Sequence, residues 1–140
     1  MTVQGVIKAE YLPSDDEPFM CDRHKEFFRK RLTALKREIL DESRETLEAM
    51  QEGAVNIPDL VDRASAETDR ALELRTRDRQ RKLISKIDAA LRRIDEGEYG
   101  YCEETGEPIG LRRLIARPTA TLSLEAQERH ERREKVHRDD

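Results

Sequence analysis

The chain has 140 residues and a formal net charge of −4, and 41% of its residues are charged whereas 4% are aromatic. This composition is typical of long solvated helices and excludes a large apolar core. Because acidic and basic residues are balanced along the chain, no overall positive field exists to hold duplex DNA. We therefore expect no direct, sequence-specific DNA binding.

The two cysteines, Cys21 and Cys102, are too few for a disulfide framework, and this count suits a reducing cytoplasm. The first residues lack the continuous apolar stretch of a signal peptide. No segment approaches the roughly 20 apolar residues that a membrane span needs. We expect a soluble cytoplasmic protein that does not engage a membrane.

Residues 1–21 show neither helical nor strand periodicity, and we expect them to form a flexible N-terminal arm. From Asp22 to about Gly53, apolar residues recur at steps of 4, 3 and 4 residues, as in the seam of a coiled coil. These seam residues are Phe28, Leu32, Leu35 and Ile39. The seam positions that follow are polar or small, namely Glu42, Thr46 and Ala49.

A second helix is predicted from Asp59 or Asp62 to about Asp95, with its apolar seam densest near its C-terminal end. The predicted seam residues are Leu83, Ile87, Leu91 and Ile94. Since the first helix is most apolar near its N-terminus, the two helices should pair antiparallel. Residues 22–96 are thus predicted to form a coiled-coil hairpin of roughly 45 Å, at ~1.5 Å per residue, with its tip at residues 53–64.

Residues 97–122 follow the helix-ending Gly97 and combine glycines with aromatic residues, a pattern that suits a small knuckle of turns and short strands. Ser123 can cap a last helix over residues 123–140. The predicted fold is mostly α. It consists of a long antiparallel coiled-coil hairpin, a small globular knuckle and a C-terminal helix, and the resemblance described below implies that this knuckle is a degenerate zinc-finger-like domain.

Two carboxylates, Asp59 and Asp62, lie three residues apart at the predicted tip. They can act as helix caps, because a carboxylate accepts backbone N–H groups and is favoured by the helix dipole. They can also present negative charge, at the end of a long hairpin, to a metal or basic site of a partner. The residues alone leave both interpretations open.

A basic run occupies residues 75–82, where five of eight side chains are cationic. On a helix, one positive stripe forms from Arg75, Arg79, Lys82 and Lys86. Such a stripe is either a solvated helix face or a docking surface for an acidic protein or a phosphate ligand.

Three motifs, in this order, resemble those of the DksA/TraR family. They are the Asp-x-x-Asp-x-Ala sequence at residues 59–64, the charged stretch at 72–84, and the glycine-rich segment 99–110 followed by 112–120. The resemblance spans about residues 22–138. It implies an antiparallel coiled coil joined to a zinc-finger-like globular domain with a C-terminal helix.

The resemblance also implies a non-enzymatic transcription regulator that binds RNA polymerase. The coiled coil would enter the secondary channel and modulate open-complex stability at promoters such as those of ribosomal RNA, in concert with ppGpp. On this mapping Asp59, Asp62 and Ala64 form the active tip. Arg75 and Arg79 are then polymerase contacts.

The ppGpp-binding positions that the resemblance implies are Lys86, Arg117 and Gln127. Cationic side chains suit a pyrophosphate because they donate charge-assisted hydrogen bonds. Gln127 stands where the family has a cation, and its neutral amide donates without a charge. We therefore expect weaker sensitivity to ppGpp.

Zinc is not expected. The four cysteine positions of the family's zinc finger are occupied here by Cys102, Thr105, Ser123 and Ala126, whereas a structural zinc site needs four thiolate or imidazole ligands. The three histidines are taken as isolated, namely His24, His130 and His137. Apolar packing must then replace coordination, and the predicted packing residues are Tyr99, Tyr101, Ile109, Leu114, Ile115 and Leu122.

Two other functions fit a hairpin with an acidic tip. A transcript-cleavage factor of the Gre type would use the tip carboxylates to hold Mg²⁺ in the polymerase active site. A structural coiled-coil adaptor would have no role at polymerase. An enzyme is poorly supported, because no nucleophile–base pair or phosphate-binding glycine loop occurs at a useful spacing. We expect a monomer.

Overall fold

The computed structural model describes residues 11–53 and 60–139, and describes their side chains except at positions 50, 53, 60–62 and 137–139. Its helices are α1 (Asp22–Gly53), α2 (Leu60–Glu96), α3 (Leu111–Ala116) and α4 (Leu124–Asp139). None of the described helices is both long and apolar enough to cross a membrane. The predicted, mostly helical fold class is confirmed.

The chain divides into two compact units. Thr33–Asp88 forms one of them, which we call the hairpin unit, and it contains the C-terminal part of α1 and the N-terminal part of α2. Met1–Leu32 and Ala89–Asp140 form the other, which we call the terminal unit. The terminal unit contains the glycine-rich knuckle, α3 and α4.

In the hairpin unit, α1 and α2 run antiparallel. Lys36 on α1 pairs with Asp88 on α2, with 2.7 Å between Nζ and Oδ1, which joins the beginning of one segment to the end of the other. Ile39 and Ile87 are buried at 8% and 1% exposure. Removing such side chains from water stabilises the pair by about 1.5–3 kcal/mol each.

The seam of α2 differs from the prediction at one position. Leu83 was expected in the seam but is 39% exposed, whereas its neighbour Ile84 is half-buried. Gln80, at 8% exposure, continues the seam by one more turn. Two adjacent apolar residues satisfy helical spacing from Ile87 equally well, so only packing against α1 decides which one is buried.

The seam of α1 becomes polar as it continues from Ile39. Thr46 is half-buried as predicted, but Glu42 is exposed and Ser43 takes the half-buried position beside it. The Thr46 hydroxyl donates to the Glu42 carbonyl at 3.0 Å, so it is satisfied within its own helix. Few apolar contacts hold this part of the hairpin, and we expect it to open at lower free energy than the rest.

The core of the terminal unit is built around aromatic and aliphatic side chains from α1, the knuckle and α3. Phe28, Leu32 and Leu114 have no exposed surface. The rings of Phe28 and Tyr99 lie 5.4 Å apart. The Tyr99 hydroxyl donates to the Pro118 carbonyl at 2.7 Å, so this polar group is buried with a partner.

Residues 11–20 are packed in the terminal unit, although they belong to the arm that the sequence predicted to be flexible. The rings of Phe19 and Tyr101 lie 5.5 Å apart, edge to face. Met20 is 7% exposed and packs on Gly100, where an added Cβ would lie 3.0 Å from the methionine sulfur. These contacts depend on tertiary packing and leave no periodicity in the sequence.

The knuckle contains turns and the short helix α3, which the sequence did not predict as a separate element. Within the described residues no strand is present, and the isolated bridge there pairs Tyr101 with Pro108. The expected short strands are therefore absent from that part of the chain. Backbone bonds hold the turns instead, from Ile109 N–H to Gly100 at 2.7 Å and from Gly106 N–H to Cys102 at 2.8 Å.

Both helix ends that flank the knuckle use the signals that the sequence carries. Gly97 follows α2 at φ +77°, a conformation that favours glycine, and the next residue, Glu98, donates its N–H to Arg93 at 2.9 Å. The Ser123 hydroxyl accepts the Ala126 N–H at 3.2 Å and so caps α4.

Candidate functional site

The predicted tip is only partly within the described residues. Asp59 lies outside them. Asp62 lies in the first turn of α2, and its side chain is not described. Ala64 is exposed on the same helix. A negative charge in this turn is favoured by the partial positive charge of a helix N-terminus.

The basic stripe of α2 belongs to the hairpin unit. Its four members, Arg75, Arg79, Lys82 and Lys86, are all exposed. Across the described residues none of the four takes part in an ion pair. Arg81, a neighbouring cation that is not part of the stripe, does have an ion-pair partner, because it lies 3.9 Å from the carboxylate of Asp78. Among the described residues, the stripe is therefore a row of cations without ion-pair partners.

Exposed leucines lie on the same helix face as this stripe. Leu72 and Leu83 are 52% and 39% exposed. They fall three residues before Arg75 and four after Arg79, so they share its face at helical spacing. Apolar side chains interleaved with unpaired cations give a face suited to a protein partner, since each leucine can gain burial there.

The three ppGpp candidates are divided between the units. Lys86 is exposed in the hairpin unit. Arg117 is exposed just after α3, and Gln127 is half-buried in the first turn of α4. The Gln127 amide donates to the carboxylate of Glu131 at 3.2 Å. That amide thus already donates a hydrogen bond. It therefore has one fewer N–H to donate to an anionic ligand.

Cys102 occupies the first of the four positions at which the family's zinc finger has cysteines, and it is buried, at 3% exposure. Burial alone raises the pKa of its thiol. Hydrogen bonds from the Ser123 backbone, from both the side chain and backbone of Thr105, and from the Glu104 backbone outweigh burial and lower that pKa from 9.0 to about 6. These donors favour the ionised form of the sulfur, and we call them the thiolate cage.

The other three cysteine positions have acquired different contacts. The Thr105 hydroxyl accepts the Glu107 N–H at 3.2 Å, and the Ser123 hydroxyl caps α4. Ala126 has no exposed surface. One cysteine sulfur, two engaged hydroxyls and a methyl group do not fit the tetrahedral nitrogen and sulfur set that structural zinc requires.

Polar contacts join the knuckle to α4. Glu104 bonds to His130, and its other carboxylate oxygen lies 3.9 Å from Arg129. Between α2 and the knuckle, Arg93 pairs with Glu103 at 2.8 Å. The apolar residues predicted to replace zinc are buried or half-buried, namely Tyr99, Ile109 and Leu114 in the first group and Tyr101, Ile115 and Leu122 in the second.

His24 is not the isolated surface histidine that the sequence suggested. It has no exposed surface, and its ring lies beside Glu17 and Cys21. The signal in the sequence is the spacing, because Glu17, Cys21 and His24 are separated by four and three residues. It was overlooked because residues 11–20 carry no periodic pattern and were assigned no structure.

Two family models match the chain. One, described as DnaK suppressor protein DksA, N-terminal domain, matches residues 24–94. The other, described as prokaryotic dksA/traR C4-type zinc finger, matches residues 97–132. The fold and the two matched segments thus define one class of protein, in which a helical hairpin is followed by a finger-like knuckle.

Comparison with individual relatives shows which family within this class the chain belongs to. RNA polymerase-binding transcription factor DksA of Caulobacter vibrioides (strain NA1000 / CB15N) is 72% identical over 96% of this chain and 95% of its own length. The protein of the same name from Escherichia coli (strain K12) is 44% identical, over 96% and 88%. The structure of transcription factor DksA2 from Pseudomonas aeruginosa, 40% identical, covers 94% of this chain and 98% of its own with a TM-score of 0.80. The chain belongs to the DksA family.

Proposed function

We propose that this chain is a non-enzymatic transcription regulator that binds RNA polymerase directly in the cytoplasm. The observation that carries the proposal is its 72% identity, over 96% of the chain, to a protein named for binding RNA polymerase. The exposed leucines of α2, and its exposed cations that have no ion-pair partner within the described part of the chain, supply a surface on which such binding can take place.

The tip, in this proposal, is Asp59, Asp62 and Ala64. A hairpin of two helices is narrower than a globular domain. It can therefore enter the secondary channel of polymerase, whereas a globular domain cannot. A carboxylate carried into that channel acts on the metal or the basic groups of the polymerase active centre. The short side chain of Ala64 lets the adjoining helix surface approach closely.

Arg75 and Arg79 make the polymerase contact. Both side chains are exposed and free of ion pairs within the described residues, so they can form bidentate bonds with carboxylates without first breaking internal ones. Leu83 adjoins them on the same face and adds apolar burial to the contact.

Lys86, Arg117 and Gln127 contribute to ppGpp binding when the chain is on polymerase. Two cations suit a pyrophosphate, and the amide of Gln127 supplies no charge. The contact that the amide already makes with Glu131 weakens its contribution further. We therefore infer that ppGpp strengthens the effect of this chain on open complexes only modestly.

Transcription in vitro from a ribosomal RNA promoter, with and without ppGpp, tests the proposal. Asp62→Asn removes the charge but keeps a polar side chain of the same size, so we expect promoter control to be lost while thermal stability stays within about 0.5 kcal/mol of wild type. Arg79→Ala should weaken polymerase binding about tenfold or more. Arg81→Ala, a cation on the same helix but off the stripe, is the matched control and should bind like wild type.

Each result separates this proposal from the alternatives. Full activity of Asp62→Asn would favour a structural adaptor and would contradict the assigned tip. Shortening of RNA in backtracked complexes would identify a cleavage factor of the Gre type. Equal weakening by Arg79→Ala and Arg81→Ala would show that net charge alone, not the stripe, governs binding.

A further inference from the structure

Three side chains of the terminal unit meet where residues 11–21 join the first turn of α1. They are Glu17, Cys21 and His24, which we call the arm cluster, and their potential ligand atoms all lie within 4.8 Å of one another. Cys21 Sγ is 4.0 Å from one oxygen of Glu17, and His24 Nε2 is 3.8 Å from the other. None of the three occupies a former cysteine position of the knuckle.

His24 carries the observation that points to a ligand. Its side chain has no exposed surface, and its Nδ1 accepts the Met20 N–H at 3.1 Å. Nε2, the nitrogen that faces the cluster, is buried without a hydrogen-bond partner among the described residues. Leaving such a group unsatisfied is destabilising, and buried ring nitrogens normally have a partner.

A neighbouring side chain orients the Glu17 carboxylate for binding a cation. The Tyr11 hydroxyl donates to its Oε1 at 2.6 Å, and this bond orients the carboxylate. Arg23 lies 3.9 Å over the Tyr11 ring, so it contacts the group that orients Glu17. An outer group that orients a carboxylate in this way is the usual support for a metal ligand.

We propose that Glu17, Cys21 and His24 bind a divalent transition metal of the zinc type, with the fourth coordination position open to water. Nitrogen, oxygen and sulfur are the zinc donor set, and the thiolate and imidazole disfavour Mg²⁺ and Ca²⁺. The centre of a triangle with edges of 3.8 to 4.8 Å lies about 2.5 Å from each corner. Contraction by roughly 0.3–0.5 Å reaches zinc bond lengths.

Metal binding changes the turn that precedes α1. The Cys21 thiol gives its proton to the solvent as the sulfur coordinates the metal. Because His24 Nδ1 now accepts a hydrogen bond, Nε2 carries the ring proton, and coordination there moves that proton to Nδ1. The Met20 N–H then loses its acceptor. Met20 sits in a turn closed by Cys21 N–H and Pro18 O at 3.1 Å, so this turn shifts when the metal binds.

Zinc binding by the full-length, metal-depleted protein tests the site. We expect equilibrium dialysis to give one Zn²⁺ per chain, and Co²⁺ in its place to give a thiolate-to-cobalt absorption band. Cys21→Ser and Glu17→Gln should each weaken binding about tenfold or more, since each removes one of three ligands. Cys102→Ser is the matched control, because it removes the other thiol of the chain and should bind as wild type does.

Thermal unfolding of each variant checks that it is folded. Cys21 and Glu17 are half-exposed, so their variants give the result even where removing the fully buried His24 prevents folding. Failure of wild type to bind zinc at about 10 μM would overturn the proposal. So would a site lost in Cys102→Ser and retained in Cys21→Ser, because the metal would then lie in the knuckle.

Discussion

Leu114→Ala tests whether apolar packing holds the knuckle together. Leu114 lies on α3 and has no exposed surface, in the same core as Phe28 and Tyr99. Truncating a fully buried leucine removes its transfer free energy and leaves a cavity, which together cost 2–5 kcal/mol. We expect a loss of about 3 kcal/mol. For a chain of this size, that corresponds to a fall in Tm of roughly 10 °C.

The assay is thermal and urea unfolding of metal-depleted protein, followed by helical circular dichroism. Leu124→Ala is the matched control, because Leu124 belongs to the same unit but is 58% exposed, and it should change stability by less than about 0.5 kcal/mol. The wild-type protein should keep its helical signal without metal. If it loses that signal, or if Leu114→Ala costs less than about 1 kcal/mol, packing is not what replaces coordination.

Three further predictions concern residues of the terminal unit. Gly100→Ala should cost about 1–3 kcal/mol in chemical unfolding, because φ is +93° there and a Cβ would lie 3.0 Å from the sulfur of Met20. Tyr99→Phe should cost about 1–2 kcal/mol, since it leaves the buried Pro118 carbonyl without its donor. The free energy of unfolding of wild type, relative to Cys102→Ser, should rise from pH 6 to pH 9, because the folded-state pKa of the thiol is about 6 and its ordinary value is 9.0. A difference that stays flat over this range would contradict the thiolate cage.

Helical spacing was enough to predict the hairpin helices, because the apolar residues from Phe28 to Ile39 follow a coiled-coil repeat and Gly97 supplies a local stop. Such signals are local, so they survive in the sequence alone. The burial of Leu83 was predicted wrongly for the converse reason. Its neighbour Ile84 fits the same repeat, and the choice between them depends on the partner helix.

Long-range packing explains what the sequence did not reveal in the terminal unit. Residues 11–20 are ordered by contacts such as that of Met20 with Gly100, about 80 positions later in the chain. His24, which accepts the Met20 N–H, is buried in the same unit. No periodic pattern records contacts of this kind, so the arm cluster could not be assembled from sequence. The tip positions, by contrast, come from the family resemblance, and their roles remain predictions.

The retention of a single cysteine in the knuckle has a physical explanation. Around a zinc ion, N–H groups would support the coordinating sulfurs; here those of Thr105, Glu104 and Ser123 stabilise the negative charge on Cys102 directly. These donors come from the turn after Cys102 and from the beginning of α4, so both segments contribute to lowering the pKa of the thiol. Ala126, in the first turn of α4, is fully buried and introduces no second charge. A serine at position 102 would fill a similar volume but would remain neutral, and so would bind these donors less strongly.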